Sequence, residues 1–131
     1  MTMAIVKAAL CYVLVTFPLG YFWHLGPLKG RYRALGIYRE AVSPPLGLAS
    51  MVIQGAIFGW AYVAAIAPLG GGWPIKAALY AGLGGLLSWS FTTLAWAAKA
   101  RITAIPAFVT LETAFTAAQW IPVGLLTALV V

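Results

Sequence analysis

Glu112 is the residue of this chain with the clearest potential for chemistry. It is one of only two acids among 131 residues, and it lies inside the apolar stretch from Ile105 to Val131. A charged side chain at the centre of a bilayer costs about 3 kcal/mol on insertion scales, so it normally faces a cavity or the interior of a helix bundle. Two roles fit such a carboxyl group: it holds helices together through hydrogen bonds, or it binds a proton or ligand during transport. Because no Lys or Arg lies at the same depth, we expect Glu112 to be protonated at pH 7.

Other polar residues are expected at a similar depth. The fourth helix is expected to enter the membrane near Thr103, so Glu112 lies about nine residues, or about 13 Å, inside it, and Gln54 lies about nine residues inside the second helix. Glu112, Thr116 and Gln119 share one helical face through their i, i+4 and i+7 spacing. The sequence therefore predicts a buried polar cluster, in which Gln54 is the first candidate partner of Glu112. The predicted members of this cluster are Glu112, Gln54, Gln119, Thr116, Tyr12, Thr16 and Ser88.

His24 is the only histidine and follows three aromatic residues, Tyr21, Phe22 and Trp23. At the end of an apolar stretch it is expected to lie at the membrane interface. Alternatively, one imidazole suffices as the axial ligand of a haem or a chlorophyll-type pigment. The single cysteine, Cys11, cannot form an intramolecular disulfide. The chain has no metal-ligand spacing, catalytic triad or phosphate-binding loop, so we expect no metal site, no other cofactor and no enzymatic activity.

The composition determines which elements carry these residues. Hydrophobic residues make up 63% of the chain and charged residues 8%, whereas soluble domains contain about 25% charged residues. A membrane-spanning helix needs about 20 mainly apolar residues, and proline-bounded segments that qualify cover residues 4–25, 46–67, 74–97 and 105–131. The sequence therefore predicts a single all-α domain over residues 1–131, folded as an integral membrane four-helix bundle.

The positions of Lys and Arg predict how this bundle is oriented. Six basic residues lie in the first and third connections, against only Lys7 and Lys76 on the opposite side. Cytoplasmic loops are enriched in Lys and Arg, so we expect a multi-pass protein of the bacterial inner membrane with both termini outside the cytoplasm. The net charge of +6 then reflects topology and not nucleic-acid binding. The six basic residues, expected to contact lipid headgroups, are Lys29, Arg31, Arg33, Arg39, Lys99 and Arg101.

The first connection also shows a helical pattern. Leu28, Tyr32, Leu35 and Tyr38 recur at helical spacing, with basic residues between them. This pattern predicts a short amphipathic helix lying on the cytoplasmic membrane surface.

Small residues predict where the helices approach each other closely. Gly55 and Gly59 are one turn apart in the second segment, and Gly82 and Gly85 lie in the third. Small faces allow close backbone approach in membranes. We expect these two faces to pack on each other across the short turn at residues 68–72, or to serve contacts with other subunits or a second copy of the chain.

Four short stretches of the chain stand out: Gly20–Leu25, Leu35–Tyr38, Ser50–Gly55 and Ala97–Lys99. Together they resemble a family of uncharacterised small four-helix bacterial inner-membrane proteins. The resemblance implies the four-helix membrane fold and no established activity. From the residues, we expect a non-enzymatic accessory or assembly subunit of a larger membrane complex. The alternatives are a small proton-coupled transporter or channel that uses Glu112, and a haem- or pigment-binding subunit that uses His24.

Overall fold

The computed structural model describes every residue from Met1 to Val131. It is all-helical, with 81% of the residues in helices and no strand. Three helices are long and apolar enough to span a membrane, and they cover Thr2–Leu25, Pro44–Ile66 and Ile105–Val130.

Six α-helices and two π-helical turns make up the chain. The helices are α1 (Thr2–Leu25), α2 (Lys29–Ala34), α3 (Pro44–Ala61), α4 (Trp73–Trp89), α5 (Ala95–Lys99) and α6 (Ile105–Val130). The π turn Tyr62–Ile66 extends α3, and the π turn Ser90–Leu94 joins α4 to α5. Proline occupies the first turn of α3, α4 and α6, where its missing N–H would have no helical partner and its fixed φ suits the helix.

The third predicted segment differs from the other three. It lies within an unbroken helical run from Trp73 to Lys99, but the π turn divides this run. Its longest α-helical part has 17 residues, and the run is not among the three long apolar helices.

The order of the helices in space is α3, α1, α6, α4, because α1 packs against α3 and α6, and α6 packs against α1 and α4. The predicted contact between the small faces of the second and third segments is therefore wrong. A Cβ atom added to Gly59 would lie 2.9 Å from the backbone oxygen of Ile5 in α1, and one added to Gly55 would lie 3.1 Å from that of Ala9. The glycines of α3 thus allow close approach to α1.

The small residues of α4 instead make room for one large side chain of α6. A Cβ atom at Gly84 would clash with the Trp120 ring, and one at Gly85 would make ordinary contact with it at 3.6 Å. Gly82 has open space around it, so its predicted packing role is wrong. Because the indole of Trp120 fills the space over α4, no small face of α4 remains for α3.

An aromatic core closes one end of the molecule, near the turn at residues 68–72. Tyr12, Tyr62, Tyr80 and Trp120 are buried there. The rings of Tyr62 and Tyr80 are 4.9 Å apart and join the first π turn to α4, whereas α3 and α4 do not pack along their length.

The two basic connections meet at the opposite end. The backbone N–H of Thr103 donates a hydrogen bond to the Leu35 carbonyl oxygen at 3.3 Å. The Thr103 hydroxyl donates another to the Ala34 carbonyl oxygen at 2.8 Å. The exposed side chains of the six basic residues named above therefore lie at one end of the molecule. We call this the basic end.

The amphipathic pattern of the first connection has a different partner from the expected one. Helix α2 is only six residues long, and Tyr32 and Leu35 are buried against Phe108 of α6. The apolar face therefore contacts protein instead of a lipid surface, because α6 offers a closer apolar partner. The basic residues of α2 stay exposed.

Candidate functional site

Glu112 is buried, with 9% of its surface exposed, and two side chains converge on one of its oxygens. The Tyr32 hydroxyl donates a hydrogen bond to Glu112 Oε1 at 2.6 Å. His24 Nε2 lies 3.4 Å from the same oxygen. Tyr32 comes from α2 and His24 from the last turn of α1, so the carboxyl group lies near the basic end.

The predicted pairing of Glu112 with Gln54 is wrong, because the two residues lie at different levels. Glu112 is seven residues from the first residue of α6 (112 − 105), or about 10 Å along the helix. Gln54 is ten residues from the first residue of α3 (54 − 44), or about 15 Å. At that level Gln54 accepts a hydrogen bond from the Tyr12 hydroxyl at 2.6 Å.

The neighbours of Tyr32 and His24 determine which atoms around Glu112 donate hydrogen bonds and which accept them. Trp23 Nε1 donates to the Tyr32 hydroxyl at 3.0 Å, and an indole N–H can only donate. The hydroxyl hydrogen of Tyr32 is therefore free to go to Glu112. His24 Nδ1 lies 3.0 Å from the carbonyl oxygen of Gly20, which can only accept, so Nδ1 carries a hydrogen.

With the donors and acceptors assigned in this way, Glu112 and His24 share one proton. With Nδ1 already protonated, His24 Nε2 and Glu112 Oε1 would both be acceptors unless a proton lies on one of them. The pair is then either an imidazolium beside a carboxylate or an imidazole beside a carboxylic acid, and both states have zero net charge. The expectation that Glu112 is simply protonated overlooked His24, which supplies the only basic group at this level.

Aromatic rings enclose the Glu112–His24 pair. The His24 ring lies 4.6 Å from the Tyr32 ring and 4.7 Å from the Phe115 ring. Tyr38 stacks on Tyr32 at 5.3 Å. Burial raises the pKa of the Tyr32 hydroxyl, and the adjacent Glu112 carboxyl raises it further; burial and then Glu112 also raise the pKa of Tyr38. Tyr32 therefore stays protonated and remains a donor to Glu112 at neutral pH.

A second hydrogen-bonded chain lies deeper and crosses three helices. Gln119 Nε2 on α6 donates to the Tyr12 hydroxyl at 3.1 Å and to Thr16 Oγ1 at 3.0 Å, both on α1. Tyr12 donates to Gln54 on α3, whose Nε2 donates to Ser50 Oγ at 2.9 Å. The chain therefore holds α6, α1 and α3 in fixed register.

The two remaining members of the predicted cluster, Ser88 and Thr116, bond to partners other than the Glu112 carboxyl. Ser88 Oγ accepts a hydrogen bond from Trp120 Nε1 at 3.0 Å, which links α4 to α6. Thr116 donates its hydroxyl to the backbone oxygen of Glu112 at 2.8 Å, within α6. Neither side chain bonds to the Glu112 carboxyl.

A cavity of about 700 Å³ connects the Glu112–His24 pair with the deeper chain. All seven residues of the predicted polar cluster line it, and so does His24. Most of the remaining lining is apolar or aromatic, and it includes no Lys or Arg. Ile57 on α3, and Leu87 and Phe91 on the opposite side, are exposed residues at its edge. The cavity therefore opens through the gap between α3 and the α4–α5 run.

Sequence reasoning missed Tyr32 and Trp23 as site residues and placed His24 at an interface. The signal for Tyr32 was its position on the apolar face of the first connection, which was assigned to lipid. Both ring nitrogens of His24 have protein partners, so neither is directed at a haem or pigment. No three His, Cys, Asp or Glu side chains lie together as a metal site would need.

Compared with known proteins, the chain matches no family model, no curated protein and no solved structure. The resemblance of its sequence stretches to a four-helix membrane family therefore stays an expectation, and function rests on the geometry of the site.

Proposed function

We propose that this chain is a membrane-spanning four-helix protein that binds a small amphiphilic molecule in the cavity beside Glu112. The cavity itself is the observation that carries this proposal. Small-molecule sites are typically clefts of about 300–1,000 Å³ with mostly apolar walls and a few well-placed polar groups. The cavity of about 700 Å³ has these features, with the Glu112–His24 pair and the Gln119 chain as its polar wall.

Several features support the membrane location. Besides the three long apolar helices, the run from Trp73 to Lys99 is about 40 Å long, which is sufficient to cross a bilayer. Large apolar side chains such as Leu14 and Leu86 are exposed, as lipid-facing residues would be. The excess of Lys and Arg at the basic end supports an orientation with that end in the cytoplasm and both termini outside, as expected for a bacterial inner-membrane protein.

The opening of the cavity supports an amphiphilic ligand. Because the gap lies between two helical walls with exposed apolar residues, a molecule dissolved in the bilayer reaches the cavity sideways. Its apolar part would lie against Phe91 and Ile57, and its polar part would reach Glu112 and Gln119.

The cavity favours a binding protein over the other expected roles. Hydrogen bonding between helices alone would explain the contacts of Glu112, but it would not require open space beside them. An accessory or assembly subunit would equally need no internal cavity with a polar wall. A continuous channel fits poorly because the aromatic core of Tyr62, Tyr80 and Trp120 fills the other end.

Two glycines offer a matched test. Gly47 on α3 lines the cavity and Gly82 on α4 does not, and a Cβ atom at either position would meet open space. Gly47→Phe should therefore obstruct part of the cavity without disturbing the fold, and Gly82→Phe is its control. The protein in lipid nanodiscs is titrated with a neutral, environment-sensitive naphthalene dye.

We expect saturable dye binding to the unmodified protein and to Gly82→Phe, and none to Gly47→Phe. Native mass spectrometry of protein extracted from its own membrane should show a small molecule retained by the unmodified protein and by Gly82→Phe, but not by Gly47→Phe. Equal dye binding by the two variants, or no saturable binding by the unmodified protein, would contradict the proposal.

A further inference from the structure

The cavity wall offers unoccupied hydrogen-bond acceptors at both polar levels. Glu112 uses only Oε1, and Oε2 accepts no hydrogen bond from the protein. Gln119 uses only its amide nitrogen, so its Oε1 is also free. By contrast, both His24 nitrogens have partners. The two free oxygens carry negative charge density, so a ligand with a positively charged group fits this wall better than one whose polar group only accepts hydrogen bonds.

The aromatic lining adds a preference for positive charge. The aromatic residues Tyr21, Tyr38, Phe91 and Phe115 line the same cavity as Glu112. Aromatic faces carry negative charge density and attract cations within about 6 Å of the ring centre, whereas the same faces repel anions.

No Lys or Arg lines the cavity, so no cationic side chain meets a ligand there, and besides His24 α1 adds only the phenols of Tyr12 and Tyr21 to the lining. Of the elements packed around the Glu112–His24 pair, α2 contributes the neutral phenol of Tyr32, and the connection after it contributes that of Tyr38. Helix α3 and the α4–π turn place no titratable residue in the cavity wall. On α5, the Lys99 ammonium lies over the Trp96 ring at 5.6 Å and outside the cavity lining.

Resting on the proposed function, we propose that the ligand is a hydrophobic organic monocation, bound in exchange for the proton that Glu112 and His24 share. With its proton, the pair is neutral. A cation added beside it would leave one uncompensated positive charge in an apolar site, which is costly.

Loss of the shared proton restores neutrality. Glu112 becomes a carboxylate paired with the ligand cation, and His24 becomes a neutral imidazole with its hydrogen on Nδ1. One monocation enters and one proton leaves to solvent, so the net charge of the occupied site is unchanged.

Two probes of the same shape and opposite charge test this exchange. Tetraphenylphosphonium and tetraphenylborate are titrated against the full chain in nanodiscs of zwitterionic phosphatidylcholine. We expect saturable binding of the phosphonium alone, with one proton released per cation bound in weakly buffered solution. Its dissociation constant should fall by about tenfold for each pH unit of increase while the free pair holds its proton.

The two acids of the chain provide matched variants. Glu112→Gln keeps an acceptor for Tyr32 but cannot ionise, so phosphonium affinity should fall by about a hundredfold and proton release should stop. Glu40→Gln removes the other acid, which is exposed and does not line the cavity, and it should bind as the unmodified protein does. Neutral-dye binding by Glu112→Gln shows that the cavity is intact.

The outcomes separate this inference from the proposal on which it rests. Equal binding of the two probes, or phosphonium binding that is independent of pH, overturns the cation exchange. If the neutral dye still binds to the unmodified protein and this binding is lost in Gly47→Phe, the proposed binding function stands. If the dye also fails to bind, both proposals fall.

Discussion

Replacing Tyr32 with phenylalanine should destabilise the protein far more than the same change at Tyr38, its stacked neighbour. The Tyr32 hydroxyl is completely buried and serves two partners, as donor to Glu112 and acceptor from Trp23. The lost bond to an ionisable partner and the unsatisfied indole N–H each cost about 1–3 kcal/mol, so we expect a total of about 2–6 kcal/mol.

Tyr38 provides the control because its ring stacks on Tyr32 with an interplanar angle of 2°, while its hydroxyl has no protein partner. Tyr38→Phe keeps the stacking and should change the free energy of unfolding by no more than about 0.5 kcal/mol. Both variants are measured by reversible unfolding in mixed micelles, with circular dichroism as the readout.

A double-mutant cycle with Glu112→Leu isolates the Tyr32–Glu112 bond. Once the carboxyl group is absent, Tyr32→Phe should cost less by about 1–3 kcal/mol. Equal costs for Tyr32→Phe and Tyr38→Phe, or a coupling energy near zero, would refute the reasoning that Tyr32 orients Glu112.

Three further outcomes follow from other parts of the molecule. Gly124→Ala should lower the free energy of unfolding by about 2 kcal/mol, because the added Cβ would lie 2.7 Å from the Ala77 carbonyl oxygen. Gly82→Ala adds its Cβ in open space and should raise the free energy of unfolding by about 1 kcal/mol. Stability should fall as the pH rises above about 10, because tyrosine ionises there in the unfolded chain while Tyr32 keeps its proton in the folded protein. Thermal melts measure this loss of stability, which should be smaller in Tyr32→Phe. A reporter fused to Val131 should report a location outside the cytoplasm, and a cytoplasmic signal would reverse the orientation.

Local sequence patterns predicted the helix positions well because the signals act locally. Pro44, Pro74 and Pro106 mark the beginnings of α3, α4 and α6 within two residues of the predicted spans. The polar residues on one face of α6 also predicted which side of that helix faces the cavity. Each of these inferences needs only helical periodicity or the geometry of proline, which are set by neighbours along the chain.

The partners of Glu112 were not predictable in the same way. Matching Glu112 with Gln54 assumed that both residues lie about nine residues inside their helices, whereas Glu112 lies seven residues and Gln54 ten residues from the first residue of its helix. The register of one helix against another depends on where connections fold back, and hydropathy carries no information on that. Likewise, Tyr32 has the pattern of a lipid-facing residue, and only the position of Phe108 on α6 reveals a protein partner.

The spatial order α3, α1, α6, α4 has a consequence for how the chain is assembled during synthesis. Helix α1 pairs with α3, and α4 pairs with α6, so the first and second halves of the chain each form a hairpin of their own. The α1–α6 contact unites them only after the last helix has left the ribosome. Because His24 belongs to the first hairpin and Glu112 to the second, the shared-proton pair exists only in the finished molecule. The site therefore forms only when the two hairpins pack together through α1 and α6.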